Sequence, residues 1–200
     1  MLLQKEHFWN LPMGAGNMST KKPMVLVIAG PNGSGKSTFT QYFEKIGEYT
    51  NADDIVAATG MNNADAARLV DAKRYDAIAQ KKDFTFETVL SSEYKLEILR
   101  KAKSEGYFIK CIFVLTVDPN VNIARVQTRV AQGGHDVERE KIIKRYKKSL
   151  GNIKKLLEIC DILHVYDNTL EPFRIIRKHK DYISIYANDL WSKEEILALM

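Results

Sequence analysis

Cysteine is nearly absent from this chain, with Cys111 and Cys160 alone among 200 residues. Neither stands in a C-x-x-C or His spacing, which excludes a disulfide-stapled scaffold and a zinc ribbon and leaves two small buried hydrophobes in a reducing compartment. The core therefore has to carry itself, and 200 residues at 45% hydrophobic content suffice to bury roughly 70% of the unfolded surface. Long apolar runs are missing as well. Nothing approaches the roughly 20 residues of a membrane span, and residues 1–22 contain no continuous apolar stretch of a secretion signal. The expectation is a cytoplasmic protein with no membrane partner. Internal repeats, low-complexity tracts and inter-domain linkers are also lacking, so residues 18–200 are expected to form one domain. Residues 1–17, with Pro12, Gly14 and Gly16, read as a flexible leader.

Histidine is scarce too, and His164 and His179 lack any ligand spacing, so a metal site made of protein side chains alone is not expected. Acidic residues thin out in one place. From Asn120 to Lys155 there are ten Lys and Arg against three Asp and Glu, a local +7 inside an overall +5, which leaves the rest of the chain at −2. Basicity confined to one segment favours a clamp on phosphates over a nucleic-acid track.

What is present is an apolar strand, Met24 to Ala29, that runs into Gly30-Pro31-Asn32-Gly33-Ser34-Gly35-Lys36-Ser37, a complete G-x-x-x-x-G-K-S phosphate loop. Such glycines let backbone N–H groups turn inward around phosphate oxygens, while Lys36 meets the outer phosphates and the Ser37 hydroxyl ligates Mg²⁺. With Thr38 following, residues Gly30 to Thr38 are the expected ATP-binding set. Phe39, Tyr42, Phe43 and Ile46 then recur at helical spacing, which predicts a helix over Lys36–Ile46 with its N-terminal dipole on the anion.

Further strands are expected at Tyr49–Ala52, Phe84–Glu87, Phe108–Leu115 and Ile162–Tyr166, alternating with helices at Ala64–Lys81, Ser92–Ser104, Val121–Ala131 and Val137–Cys160. The last carries a seam of Ile143, Tyr146, Leu150, Ile153, Leu157 and Cys160. Phe173–Ile176 and Tyr182–Tyr186 read as a hairpin, followed by a helix from about Ser192. The pattern is α/β of the P-loop NTPase and kinase class: a three-layer sandwich with a parallel sheet of about five strands, a helical lid and a C-terminal β-hairpin.

Polar residues that follow the strands are the next candidates, because ligands of such sheets sit beyond the carboxyl ends. Asp53, in Asn51-Ala52-Asp53-Asp54, is placed to take a proton from an attacking hydroxyl, and Asp54 to cap the next helix. Glu87 and Thr88 end the third strand, and Ser91 or Ser92 suits a cap. Arg125, Arg129, the Gly133-Gly134 pair, His135, Arg139 and Arg145 suit a hinged lid that brings cations over a transferring phosphoryl group. Arg139 extends the apolar seam and so is not expected to face solvent unless the helix begins later, whereas Lys141, Lys144, Lys147 and Lys148 are. Asp118, followed by Pro119, reads as a turn or cap rather than a metal-binding carboxylate.

Taken in order, these motifs, with Phe86-Glu87-Thr88, Arg129 to His135, Arg145-Tyr146, Ser149-Leu150 and Val165 to Asn168, resemble the zeta-toxin family of P-loop kinases over about Val25 to Thr169. The resemblance implies that Lys36 and Ser37 hold phosphates and Mg²⁺ and that Asp53 is the general base. It implies that Glu87 and Thr88 bind substrate and that Arg129 and Arg145 reach the γ-phosphate; His135, beside the glycines, reads as a loop residue with a substrate contact as the alternative. It also implies UDP-N-acetylglucosamine or a similar nucleotide sugar as acceptor, and an antitoxin protein as partner. The longer toxins place a Gly between the Glu and the Thr, whereas Glu87 adjoins Thr88, and this chain is shorter where those proteins build their sugar pocket. A kinase acting on a nucleoside, nucleotide or nucleic-acid end is the alternative, and a nucleotide-dependent binding switch is the third reading.

Overall fold

The computed structural model describes residues 21–200; the leader expected at residues 1–17 lies outside the described residues. Seven strands form one sheet: β1 (Met24–Ala29), β2 (Glu48–Thr50), β3 (Phe84–Thr88), β4 (Phe108–Leu115), β5 (Ile162–Asp167), β6 (Phe173–His179) and β7 (Tyr182–Ile185). Their order across the sheet is β2-β3-β1-β4-β5-β6-β7. The first five run parallel, and β6 and β7 add the expected hairpin antiparallel to β5. β1 lies between β3 and β4, so the chain leaves the centre of the sheet at the place where the strand order diverges, the usual ligand crevice of such folds.

The helices are α1 (Lys36–Thr40), α2 (Ala52–Thr59), α3 (Asn63–Ala79), α4 (Glu93–Ser104), α5 (Pro119–Ala131), α6 (Arg139–Gly151), α7 (Ile153–Ile159) and α8 (Lys193–Ala198). One sheet face buries Val25, Val27, Phe84, Phe86, Phe113 and Leu163 against α4, α7 and α8. The opposite face packs Leu26, Ile28, Ile112 and Val114 around Phe39 of α1, whose ring also lies 5.3 Å from that of Tyr166. Burying that one ring is worth roughly 1.5–3 kcal/mol, and it fixes the helix that begins at the phosphate loop. Both thiols are free and buried, and burial pushes that of Cys111 up. No helix among the described residues is long and apolar enough to cross a membrane.

Two helical expectations need correction. α1 ends at Thr40, not Ile46, because the chain turns there and the Ile46 backbone is caught in both directions by the Thr85 hydroxyl at 2.8 Å. Phe43 and Ile46 still reach the apolar face, while Tyr42 is left exposed. The single helix expected over Val137–Cys160 is two helices, broken at Asn152, whose side chain donates to the Leu90 carbonyl at 2.9 Å. A buried Asn that spends its amide on a distant backbone competes with helix continuation. Of the expected seam Tyr146, Ile153 and Cys160 are buried and Leu150 and Leu157 pack partly against the core, while Ile142, Ser149 and Leu156 are buried beside them; the helix begins only at Arg139, which is exposed.

Candidate active site

The loop after β1 wraps tightly under neighbouring backbone. Gly30 and Gly33 have φ of +143° and +77°, and a Cβ on Gly33 would stand 2.5 Å from the Asn122 carbonyl oxygen. Left-handed backbone on a residue other than glycine costs about 1–3 kcal/mol, and the clash adds to it. Gly33→Ala is therefore expected to lower unfolding free energy by at least that much, read from the denaturant midpoint, and to weaken nucleotide binding in parallel. The loop is held from outside by two asparagines: Asn122 Nδ2 donates to the Asn32 carbonyl at 2.6 Å and Asn168 Nδ2 to the Ser34 carbonyl at 2.8 Å. Arg125, grouped with the lid in the sequence, instead donates to the carbonyls of Asn168 and Thr169. Asn168 falls in a motif quoted above, but no sequence signal marked Asn122.

Lys36 sits at the centre. Its Nζ donates to the Pro31 carbonyl at 2.9 Å, and burial pushes its pKa below the usual lysine value, with Glu87 and Asp53 acting against that and Arg129 and Arg145 adding to it. Residues from the P-loop, α2, β3, α5 and α6 thus act on one ammonium group. Arg145 Nη1 also touches Asn32 Oδ1 at 3.2 Å, and Arg129 Nη2 donates to the His135 carbonyl. Gly133 and Gly134 end α5 by donating to the Val130 and Arg129 carbonyls, the bonding pattern of a Schellman cap. The glycine pair read from the sequence as a hinge thus also ends α5. α6 is pinned beside the site by Tyr146, whose hydroxyl donates to the Thr116 carbonyl, and by Ser149, which donates to that of Val89.

Glu87, 8% exposed, accepts from Ser37 Oγ and Thr40 Oγ1 at 3.0 Å each and from the Tyr49 hydroxyl at 3.3 Å. Its carboxylate therefore faces the hydroxyl expected to bind metal. Thr88 accepts from the Leu90 amide through its hydroxyl. The expected cap, Asp54, is not one: Asn51 caps α2 by accepting from the Asp53 amide, which puts both aspartates in the first turn. Their side chains then diverge. Asp53 lines a cavity of about 720 Å³ with Lys36, Glu87, Thr88, His135 and Arg145, whereas Asp54 lines a second one of about 550 Å³ with Ser37, Lys45 and Tyr49. Burial raises the Asp54 pKa, with Glu87 and Asp53 adding to it. Asp118 caps α5, accepting from the Asn120 amide, as its sequence context suggested. His135 lies in an exposed connection at the cavity rim.

A parallel sheet with a phosphate loop at its central strand, flanked by cations from two later helices, defines a P-loop kinase fold. The chain belongs to the zeta toxin family, which it matches over residues 46–190. That match starts after the phosphate loop, so the loop and the family are separate observations. An uncharacterized protein of Haemophilus influenzae is 27% identical over 127 residues, 60% of this chain and 91% of that one. Among solved structures, the AvrRxo1-ORF1:-ORF2 complex with ATP is similar with a TM-score of 0.65 and 13% identity, over 82% of this chain and 60% of that chain. The PezAT chromosomal toxin–antitoxin system of Streptococcus pneumoniae is similar with a TM-score of 0.57 and 14% identity, over 93% and 87% of the two chains. At these identities the two structural likenesses establish the fold.

Proposed function

We propose that the protein is an ATP-dependent small-molecule kinase that transfers the γ-phosphoryl group to a hydroxyl of a nucleotide sugar such as UDP-N-acetylglucosamine. The observation that carries this reading is that Asp53, Glu87 and Arg145 line one cavity with Lys36, with the charge of Arg129 also acting on that lysine. The loop suits a triphosphate: the buried Ser34 Oγ has no partner among the described residues, and Lys36 rests on a loop carbonyl that it can leave. Ser37 and Glu87 present hard oxygen donors that fit Mg²⁺, which when bound supplies charge neutralisation to phosphate oxygens. Gly30 to Thr38 would hold the phosphates, with Lys36 on the outer ones.

Asp53 takes the proton of the acceptor hydroxyl, whose oxygen forms the new bond to the γ-phosphorus as the bond to the bridging oxygen breaks and ADP departs. Lys36, Arg129 and Arg145 balance the charge that moves to the phosphoryl oxygens. Thr88 and His135 line the acceptor side. Membership of the zeta toxin family supports an antitoxin protein as partner, one that covers the nucleotide cleft. The first test is titration calorimetry of the wild-type protein with ATP and Mg²⁺. Saturable binding at one site is expected; absence of binding to ATP and to GTP would overturn the reading.

The second reading, a nucleic-acid-end kinase, draws on the exposed Lys141, Lys144, Lys147 and Lys148 of α6. A track neutralising six or more duplex phosphates would lose about 10³-fold or more in affinity between 50 and 200 mM salt. Under the first reading oligonucleotides bind weakly at either salt.

A further inference from the structure

Asp71 and Arg74 stand one turn apart on α3, 4% and 1% exposed. Arg74 Nη1 donates to Asp71 Oδ1 at 2.9 Å, and Lys95 Nζ, arriving from α4, reaches both oxygens of the same carboxylate at 2.7 and 2.6 Å. Two cations share one carboxylate. The other Arg74 donors go to uncharged oxygens, the Thr50 hydroxyl and the carbonyls of Thr50 and Glu87, and its guanidinium lies 4.4 Å from the Phe86 ring centre. The Lys95 side chain is 19% exposed, and burial lowers its pKa while Asp71 opposes that, so the Asp71 cluster is largely buried and sets two cations on one carboxylate. Unbalanced charge away from water is costly unless a counter-ion completes it.

Lys95 and Arg74 line the same cavity as Asp53, beside Ser91 and Ser92. The ammonium has three donors and spends two on Asp71, with the Tyr94 ring centre 5.3 Å away and the cavity on its open side. Lys36 and Arg145 serve the ATP phosphates in the reading above, and the exposed Lys141 is paired with Glu138.

We propose that Lys95 anchors an anionic group of the acceptor, a phosphate or diphosphate, while the acceptor hydroxyl reaches Asp53. This rests on the kinase reading and narrows it: phosphorylated hydroxyl compounds are accepted, and neutral nucleosides or free sugars lack the anchor.

The test uses the full chain saturated with a non-hydrolysable ATP analogue and Mg²⁺, titrated with two matched pairs, UDP against uridine and N-acetylglucosamine 1-phosphate against N-acetylglucosamine. In at least one pair the anionic member is expected to bind about tenfold or more tightly than its neutral partner, as befits a desolvated charge pair. Lys95→Met should abolish that preference and Lys95→Arg should retain most of it, with affinity for the ATP analogue unchanged in both. Because Lys95→Met leaves Arg74 and Asp71 as a balanced pair, its melting temperature should not fall. Wild-type protein without preference in either pair, or a preference that survives in Lys95→Met, would overturn the proposal. So would a Lys95→Met protein that is unfolded or clearly less heat-stable, since Lys95 would then be structural. Failure of the wild type to bind the ATP analogue would instead strike the kinase reading.

Discussion

Arg145→Ala is expected to lower phosphoryl transfer by about 10³–10⁵, the span known for a cation that meets the transferring group, while ADP affinity stays nearly unchanged. The side chain comes from α6, touches the phosphate-loop residue Asn32 and contributes to the field at Lys36. ADP lacks the phosphoryl group that Arg145 is proposed to meet, so ground-state binding of the product should not register the loss. Arg129→Ala, whose guanidinium is shared with the His135 carbonyl, should show the same split to a smaller degree. Single-turnover rates together with ADP titrations read both quantities. Equal losses in rate and in ADP affinity would mean that Arg145 only braces the loop.

Asp53→Asn is expected to lower transfer by roughly 10²–10⁴, the usual consequence of losing a positioned proton acceptor, with ATP affinity nearly intact. The amide keeps the shape of the side chain and leaves the Asn51 cap in place, since that cap uses the Asp53 backbone. Asp54→Asn is the internal control. Asp54 faces the other cavity, and its neutralisation removes a repulsion with Glu87 and Asp53, so transfer should change little. A loss that follows Asp54 instead would move the base by one residue and the acceptor into the smaller cavity.

The strand, glycine loop and lysine at Met24 to Ser37 were legible because a phosphate loop is a local object whose residue types are dictated by backbone geometry. Asp53, Glu87 and Arg145 were legible as residues at strand ends and in a basic segment, and the fold places them in one cavity with Lys36, while Arg129 is exposed and bonded to the His135 carbonyl. Other features depended on pairings no local pattern contains. The Asn152 break needs the Leu90 carbonyl, 62 residues away, and the early end of α1 needs Thr85 to capture Ile46. α3 hid its contribution most fully. Its mix of Asp, Lys, Arg and Ala resembles a solvated helix, yet Asp71 and Arg74 are buried because β3, carrying Phe86, and Lys95 of α4 close over them. Glu87 shows a subtler gap: its place at a strand end was readable, but its bond to Ser37 depends on α1 and β3 meeting.

Transfer to a small hydroxyl compound is read from the acceptor itself, by mass spectrometry. The protein is incubated with ATP, Mg²⁺ and a panel of UDP-sugars, nucleosides and oligonucleotides, and each acceptor is examined for a single added phosphoryl group. Phosphorylated UDP-N-acetylglucosamine or a related nucleotide sugar is expected, formed in step with ADP and lost in Asp53→Asn. Unmodified UDP-sugars alongside robust transfer to a nucleoside or an oligonucleotide end, or ATP binding without transfer to any acceptor, would contradict it.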